Sequence, residues 1–199
     1  YRIDKRDRPR LPTEGYVTST TAEFASGDIE AVRLTGRIQK FWHVMEVKGW
    51  GTHVFSLRGH ASVLDGYGDR IPVAEKLYAG GMSTFRGFDY RGLSPADPAT
   101  EDQIGGNSLL IGSAEYGVPL GTKDLRVHTF VDAGYVEEDT WDVLSGWDKL
   151  RMSTGFGLRW NTPILGNATL GLDLAIPVMK EDEDETRNFH FSLGAFQRF

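Results

Sequence analysis

Two runs near the C-terminus leave this chain few folds to choose from. Between Leu150 and Trp160, Leu150, Met152, Thr154, Phe156, Leu158 and Trp160 fall on one side of an extended backbone, and Arg151, Ser153, Gly155, Gly157 and Arg159 fall on the other. The next run repeats the pattern, with Ala168, Leu170, Leu172, Leu174, Ile176 and Val178 opposite Thr169, Gly171, Asp173, Ala175 and Pro177. Strict period two is the signature of a strand with two unlike faces, because successive side chains of a strand point to opposite sides. Asn161 to Asn167 is then a tight connection between two antiparallel strands.

The same alternation recurs upstream. Leu125, Val127, Thr129 and Val131 oppose Arg126, His128, Phe130 and Asp132, while Leu110, Gly112, Ala114, Tyr116 and Val118 oppose Asn107, Ser113, Glu115 and Gly117. Phe55, Leu57, Ala61 and Val63 oppose Ser56, Arg58, His60 and Ser62, and Val32, Leu34 and Ile38 oppose Arg33, Thr35, Arg37 and Gln39. With weaker runs at Tyr1–Asp7 and Tyr16–Ala25, and a last one that puts Phe189, Phe191, Leu193 and Phe199 against His190, Ser192, Gly194 and Arg198, about nine strands are predicted and no amphipathic helix. The fold class is all-β and antiparallel. Many runs reach about ten residues, the length a tilted strand needs to cross a bilayer. Polar faces rich in arginine and glycine suit a wet lumen, and apolar faces suit lipid. A soluble β-sandwich or lipocalin-like barrel alternates in the same way, but its apolar face would have to turn inward and leave an outer skin of arginine and glycine.

Connection lengths point the same way. Pro12–Gly15, Met45–Trp50, Pro119–Lys123 and Pro163–Asn167 read as compact turns, whereas Asp65–Gly106, Glu137–Lys149 and Met179–Arg187 are long or charged. Short turns on one side and long loops on the other are the mark of outer-membrane barrels. The acidic run Glu181–Glu185 reads as a solvated loop with no ligand role.

Composition narrows the function classes. A net charge of -6 argues against a nucleic-acid partner. No cysteine is present, which removes disulfides, thiol catalysis and cysteine-type zinc sites and suits a reducing cytosol or a bacterial envelope equally. No run of about 18 apolar residues offers a transmembrane helix, and Tyr1 opens a charged stretch rather than a signal peptide. His43, His53, His60, His128 and His190 lie on different runs without metal-ligand spacing and read as solvated lumen residues; Ser83-Thr84 has no neighbouring base. Gly80-Gly81 lacks the lysine and helix of a phosphate loop. No cofactor, metal site or enzymatic activity is expected.

One segment breaks the alternation. Ala79-Gly80-Gly81-Met82-Ser83-Thr84-Phe85-Arg86-Gly87-Phe88 sits within the long connection and combines three glycines, two phenylalanines and an arginine. Phe85 and Phe88 are apolar anchors that would pull the loop against a wall. A surface loop with a solvated arginine is the plainer alternative.

Tyr78 to Phe88 resembles the Arg-Gly-Phe motif in the sixth external loop of the BamA/TamA-like outer-membrane assembly family, also called bacterial surface antigens, departing at Phe85 where valine is common. Ile104-Gly105-Gly106-Asn107 with Ser113-Ala114-Glu115-Tyr116 resembles the strand that follows that loop, and Phe130-Val131-Asp132-Ala133-Gly134-Tyr135-Val136 the aromatic-x-Asp-x-Gly strand. The end of the chain, with Gly194, Phe196 and Phe199, resembles the terminal signal strand of such barrels.

The resemblance implies a 16-stranded transmembrane barrel in the outer membrane of a Gram-negative-type bacterium, of which this chain would be the C-terminal eight or nine strands. Residues 1–199 would then form one barrel portion with a lumen-folded loop at about 65–106. An odd strand count fits a fragment, whose two unpaired edges would keep it from remaining a monomer in detergent. The missing part would hold the first strands and periplasmic POTRA repeats. The resemblance further implies that Arg86, with Gly87, Phe88, Gly80 and Gly81 around it, contacts acidic residues of the barrel wall. Strand parity independently puts Glu115 and Asp132 on the lumen face as its partners.

The implied activity is insertion of unfolded outer-membrane β-barrel proteins into lipid without ATP, through a seam where an incoming strand pairs with the last one, Asn188–Phe199, with accessory lipoproteins as further partners. Two alternatives keep the fold: a barrel exporting one passenger, as in two-partner secretion or a patatin-type fusion, and a passive porin or adhesin plugged by the loop.

Overall fold

The computed structural model describes residues 1–27, 29–67, 71–122, 124–141, 143–162 and 168–194. Its strands are β1 (Arg2–Asp4), β2 (Gly15–Ala25), β3 (Ala31–Val47), β4 (Gly51–Gly66), β5 (Gly87–Phe88), β6 (Ser108–Pro119), β7 (Leu125–Glu137), β8 (Arg151–Thr162), β9 (Ala168–Met179), β10 (Thr186–Arg187) and β11 (Phe189–Gly194). Nine of them form one sheet in the order β1-β2-β3-β4-β6-β7-β8-β9-β11, and β5 pairs with β10 in a separate ribbon. Every neighbouring pair is antiparallel, so the sheet is a meander in chain order.

The alternation decides which face meets what. On β8, β9 and β11 the apolar set turns outward, with Phe156 59%, Ile176 62% and Phe191 59% exposed, whereas Ser153, Asp173 and His190 on the opposite face are 0%, 1% and 4% exposed. A soluble sandwich would reverse these values. An exposed apolar skin over a buried charged interior is the solution for strands solvated by lipid, where only a barrel wall satisfies every backbone group. No helix among the described residues is long and apolar enough to cross a membrane.

The hairpin β3–β4 outruns its alternation. Its strands have 17 and 16 residues, and Met45, Glu46 and Val47 belong to β3 rather than to a turn. The apolar-polar rhythm is lost over Phe41-Trp42-His43-Val44-Met45, and the register shifts between His43 and Met45. A bulge adds a residue to one strand without ending the pairing, so a sequence pattern that loses its period there still folds as strand. The turn proper is Lys48–Trp50, closed by the Trp50 N–H donating to the Val47 carbonyl at 2.9 Å.

Candidate functional site

The stretch of the long connection between β4 and β6 that holds Leu77, Ala79, Phe85, Phe88 and Leu93 packs against the polar face of the sheet. Ala79, Phe85, Phe88 and Leu93 from this segment pack with Leu109 and Ile111 of β6 and Val136 of β7, forming a buried apolar cluster with Leu77 at its margin. Phe85 and Phe88 are both fully buried and meet edge to face, their ring centroids 5.1 Å apart. Burying these two rings is the drive that docks the loop. Two glycines make the path possible. Gly80 and Gly87 take φ of +113° and +91°, and a Cβ at Gly87 would stand 2.9 Å from the Ser153 Cβ.

The docked loop delivers Arg86 into the wall. Its side chain is 0% exposed. Nε and Nη2 donate to the two carboxylate oxygens of Asp132 at 2.8 and 2.7 Å, Nη2 also donates to Ser113 Oγ at 3.1 Å, and Nη1 donates to Glu115 at 3.1 Å. The Arg86 backbone N–H donates to Asp132 at 3.1 Å, and its carbonyl accepts from Ser153 Oγ at 2.5 Å. The guanidinium rests on the Phe130 ring, 3.3 Å from its centroid, and Asp173 lies 3.6 Å from Nη1. Each nitrogen of the planar cation and one of its faces therefore has a matching group, the condition under which a buried guanidinium is a specific fastener. Removing one partner would leave a buried charge uncompensated, at about 3–5 kcal/mol.

The wall is arranged for this by register. Ser113 faces Asp132, Asp132 faces Ser153, Glu115 faces Phe130, and Gly157 faces both His128 and Asp173. Gly155 and Gly157 open the space in front of β8: a Cβ at Gly155 would come within 2.7 Å of Phe130 Cζ, and one at Gly157 within 2.7 Å of His128 Cε1. The glycines on the polar face of β8 are thus steric vacancies for the charged side chains of β7 and β9.

Sequence reasoning named Arg86, Glu115 and Asp132, and the structure brings these three together. It did not name Ser113, Phe130, Ser153, Asp173 or His190 as members of the site. Parity had placed all five on the lumen face, but only the path of the loop selects them. His128 and His190 are 2% and 4% exposed rather than solvated: His128 Nε2 lies 3.1 Å from Asp173, and His190 Nε2 accepts the Gly87 N–H at 2.9 Å. The acidic run is not wholly solvated either. Asp184 is 7% exposed and pairs with Arg151 at 3.1 Å, because Arg151 opens β8 on the lumen face and needs a carboxylate from the loop above it. Burial, together with Asp184 and Glu183, pushes the neighbouring Glu181 carboxyl up against the opposing pull of Arg151. Gly194 ends β11 opposite Thr169, and Phe196 and Phe199 lie outside the described residues. Among the described residues no group of His, Asp and Glu is arranged to hold a metal ion.

The loop also reaches the end of the sheet. Gly87 and Phe88 pair with Arg187 and Thr186, the Asp89 N–H donates to the Glu185 carbonyl at 2.9 Å, and Arg187 bonds Asp89 at 2.9 Å. One strap thus joins β6, β7 and β8 to the β9–β11 connection and to β11 itself.

A wall of antiparallel membrane strands with an arginine-fastened loop against its polar face defines an outer-membrane β-barrel protein. The chain belongs to the Omp85 superfamily, whose domain model matches residues 1–197. It is 29% identical over 97% of its length to the outer membrane protein assembly factor BamA of Nitratidesulfovibrio vulgaris, and 28% identical over 96% to that of Neisseria meningitidis. It is also 26% identical over 96% to the sorting assembly machinery 50 kDa subunit of Saccharomyces cerevisiae. The fold matches the crystal structure of Haemophilus ducreyi BamA lacking POTRA domains 1–3, with a TM-score of 0.81 at 22% identity, covering 97% of this chain and 41% of that one. The chain spans about a quarter of the length of the two BamA relatives, 24% and 27%.

Proposed function

We propose that this chain is the seam-side wall of an outer-membrane β-barrel assembly factor, acting on unfolded barrel proteins without ATP and without making or breaking covalent bonds. The observation that carries the reading is the strap: Arg86 fixes the loop to β6 and β7, and the next residue, Gly87, holds His190 on β11. An assembly factor of this kind must expose strand-edge donors and acceptors to an incoming strand while keeping the rest of its wall intact, since open edges in lipid are costly. A loop fastened through Arg86 to β6, β7 and β8, and by one backbone N–H to the last strand, separates a rigid wall from a terminal strand held more lightly. Gly194 weakens that strand further. The resemblance of the chain to assembly factors from bacteria and from yeast supports this reading over single-passenger export.

In the full-length protein, POTRA repeats and accessory lipoproteins are the expected partners on the periplasmic side, and outer-membrane lipid surrounds the apolar face. The decisive experiment is reconstitution of the full-length protein in liposomes with an unfolded barrel protein and no nucleotide. Folded substrate accumulating with wild type and sharply reduced with Arg86→Ala is the expected result. Equal folding with and without the protein would reject assembly, and a passenger appearing inside the vesicle lumen would indicate export instead.

A further inference from the structure

The polar face holds two further buried guanidiniums that the Arg86 cluster does not use. Arg58 on β4 donates to the carbonyls of Ser83 and Thr84 at 3.1 and 2.9 Å, and Arg126 on β7 donates to those of Pro12 and Leu11, each at 3.2 Å. Both are 9% exposed, and among the described residues neither forms an ion pair. The Nε of Arg126 is buried with no hydrogen-bond partner among the described residues. Carbonyls satisfy donors without cancelling charge, and a guanidinium does not escape burial by losing its proton.

These two side chains line one cavity of about 90 Å³, together with Arg159, Ser56 and Glu115. One water needs only about 10–15 Å³ of such space, so the cavity has room for several waters or for one group of carboxylate or phosphate size. Charge bookkeeping favours the second. Five guanidiniums, Arg6, Arg10, Arg58, Arg126 and Arg159, line the cavity with one carboxylate, Glu115; Arg6 pairs with Asp4, Arg159 with Asp173 and Glu115 with Arg86, so positive charge is in excess around the cavity. Arg126 and Arg159 are direct register partners on β7 and β8, but Arg159 is gripped by both oxygens of Asp173 at 2.6 and 2.7 Å. Among the described residues Arg126 has no carboxylate within ion-pair distance, Glu115 and Asp7 lying farther off. Its stem crosses Gly117, where a Cβ would meet Arg126 Cδ at 2.6 Å.

We propose that this cavity, at the short-turn end of the lumen face beneath the docked loop, binds one small oxyanion, a carboxylate or a phosphate group, with Arg126 as its principal contact and Arg58 as the second. The oxyanion comes either from solution or from a carboxylate elsewhere in the full-length protein.

The test is thermal unfolding of the full-length protein in nanodiscs, titrated with inorganic phosphate at constant ionic strength, alongside a high-resolution map of the wild type. A free oxyanion gives a midpoint that rises with phosphate; Arg126→Gln abolishes the rise and Arg58→Gln reduces it. Gly117→Ala keeps every charge but displaces the Arg126 stem, and it shifts the phosphate requirement by about tenfold, serving also where a charge-removing variant fails to fold. A carboxylate of the protein's own gives no rise and appears in the map within bonding distance of Arg126 Nε. No rise with only water at Arg126, or a full rise retained in Arg126→Gln or, where that variant fails to fold, in Gly117→Ala, overturns the proposal.

Discussion

Arg86 is valuable because of its shape as much as its charge. Three of its nitrogens engage Asp132, Ser113 and Glu115 in one plane while Phe130 fills one face. Lysine offers the charge without the fork, so Arg86→Lys should leave the barrel assembled but the loop loose, seen as faster hydrogen exchange at the Phe85 to Gly87 amides. Arg86→Ala should weaken docking by about 3–5 kcal/mol, because it abandons Asp132 in a site with 0% exposure. Phe130→Leu removes only the ring beneath the cation and should weaken docking by about 1 kcal/mol in the same exchange measurement. A Phe130→Leu effect as large as that of Arg86→Ala would mean that the ring, not the ion pair, holds the loop. Parity could name Asp132 and Glu115 because it sorts residues by face. It could not name Phe130, which reads as an apolar exception on a polar face until a cation is laid over it.

Two elements depend on single residues at their bends. Gly87 starts the ribbon with β10 at a φ closed to other residues and within reach of Ser153, so Gly87→Ala should undock the strap at a cost of about 1–3 kcal/mol, measurable as new protease cleavage within residues 71–106. The β1–β2 turn is held by Asp7. Burial alone would raise its carboxyl, but the Thr13 hydroxyl and N–H and the Glu14 N–H all donate to it and hold it at about 2, against a usual 3.8. Since the folded value is the lower one, this contribution is complete above about pH 4 and is lost as the pH falls through about 2. The Thr13 and Glu14 amide signals should shift together over that window, and Asp7→Asn should show no such step. The alternation over β8 and β9 made those strands readable because their two faces meet opposite environments along their whole length. The end of β3 was not readable, because a bulge breaks the period without breaking the strand.

At the scale of the whole molecule, the docked segment decides whether the lumen face is a conduit or a support. With the loop pinned from β6 to β8 and tied to β11, the full-length protein should show little steady conductance in planar bilayers, and Arg86→Ala should raise it severalfold. A large steady pore in the wild type would favour the passive barrel. By itself the sequence determined the all-β meander, its nine strands, the lipid and lumen faces, and the identity of the arginine and two of its acids. The strands, the faces and the placing of the two acids follow from period two, a property of neighbouring residues, and the arginine from the resemblance of its loop to the family's Arg-Gly-Phe motif. The tertiary structure alone decided that Asp173, Ser113, Ser153 and His190 join the site, that His128 and Asp184 are buried, and that, among the described residues, Arg58 and Arg126 form no ion pair. Each of those depends on the register of five strands at once and on where a loop about forty residues long comes to rest, and no local period encodes either.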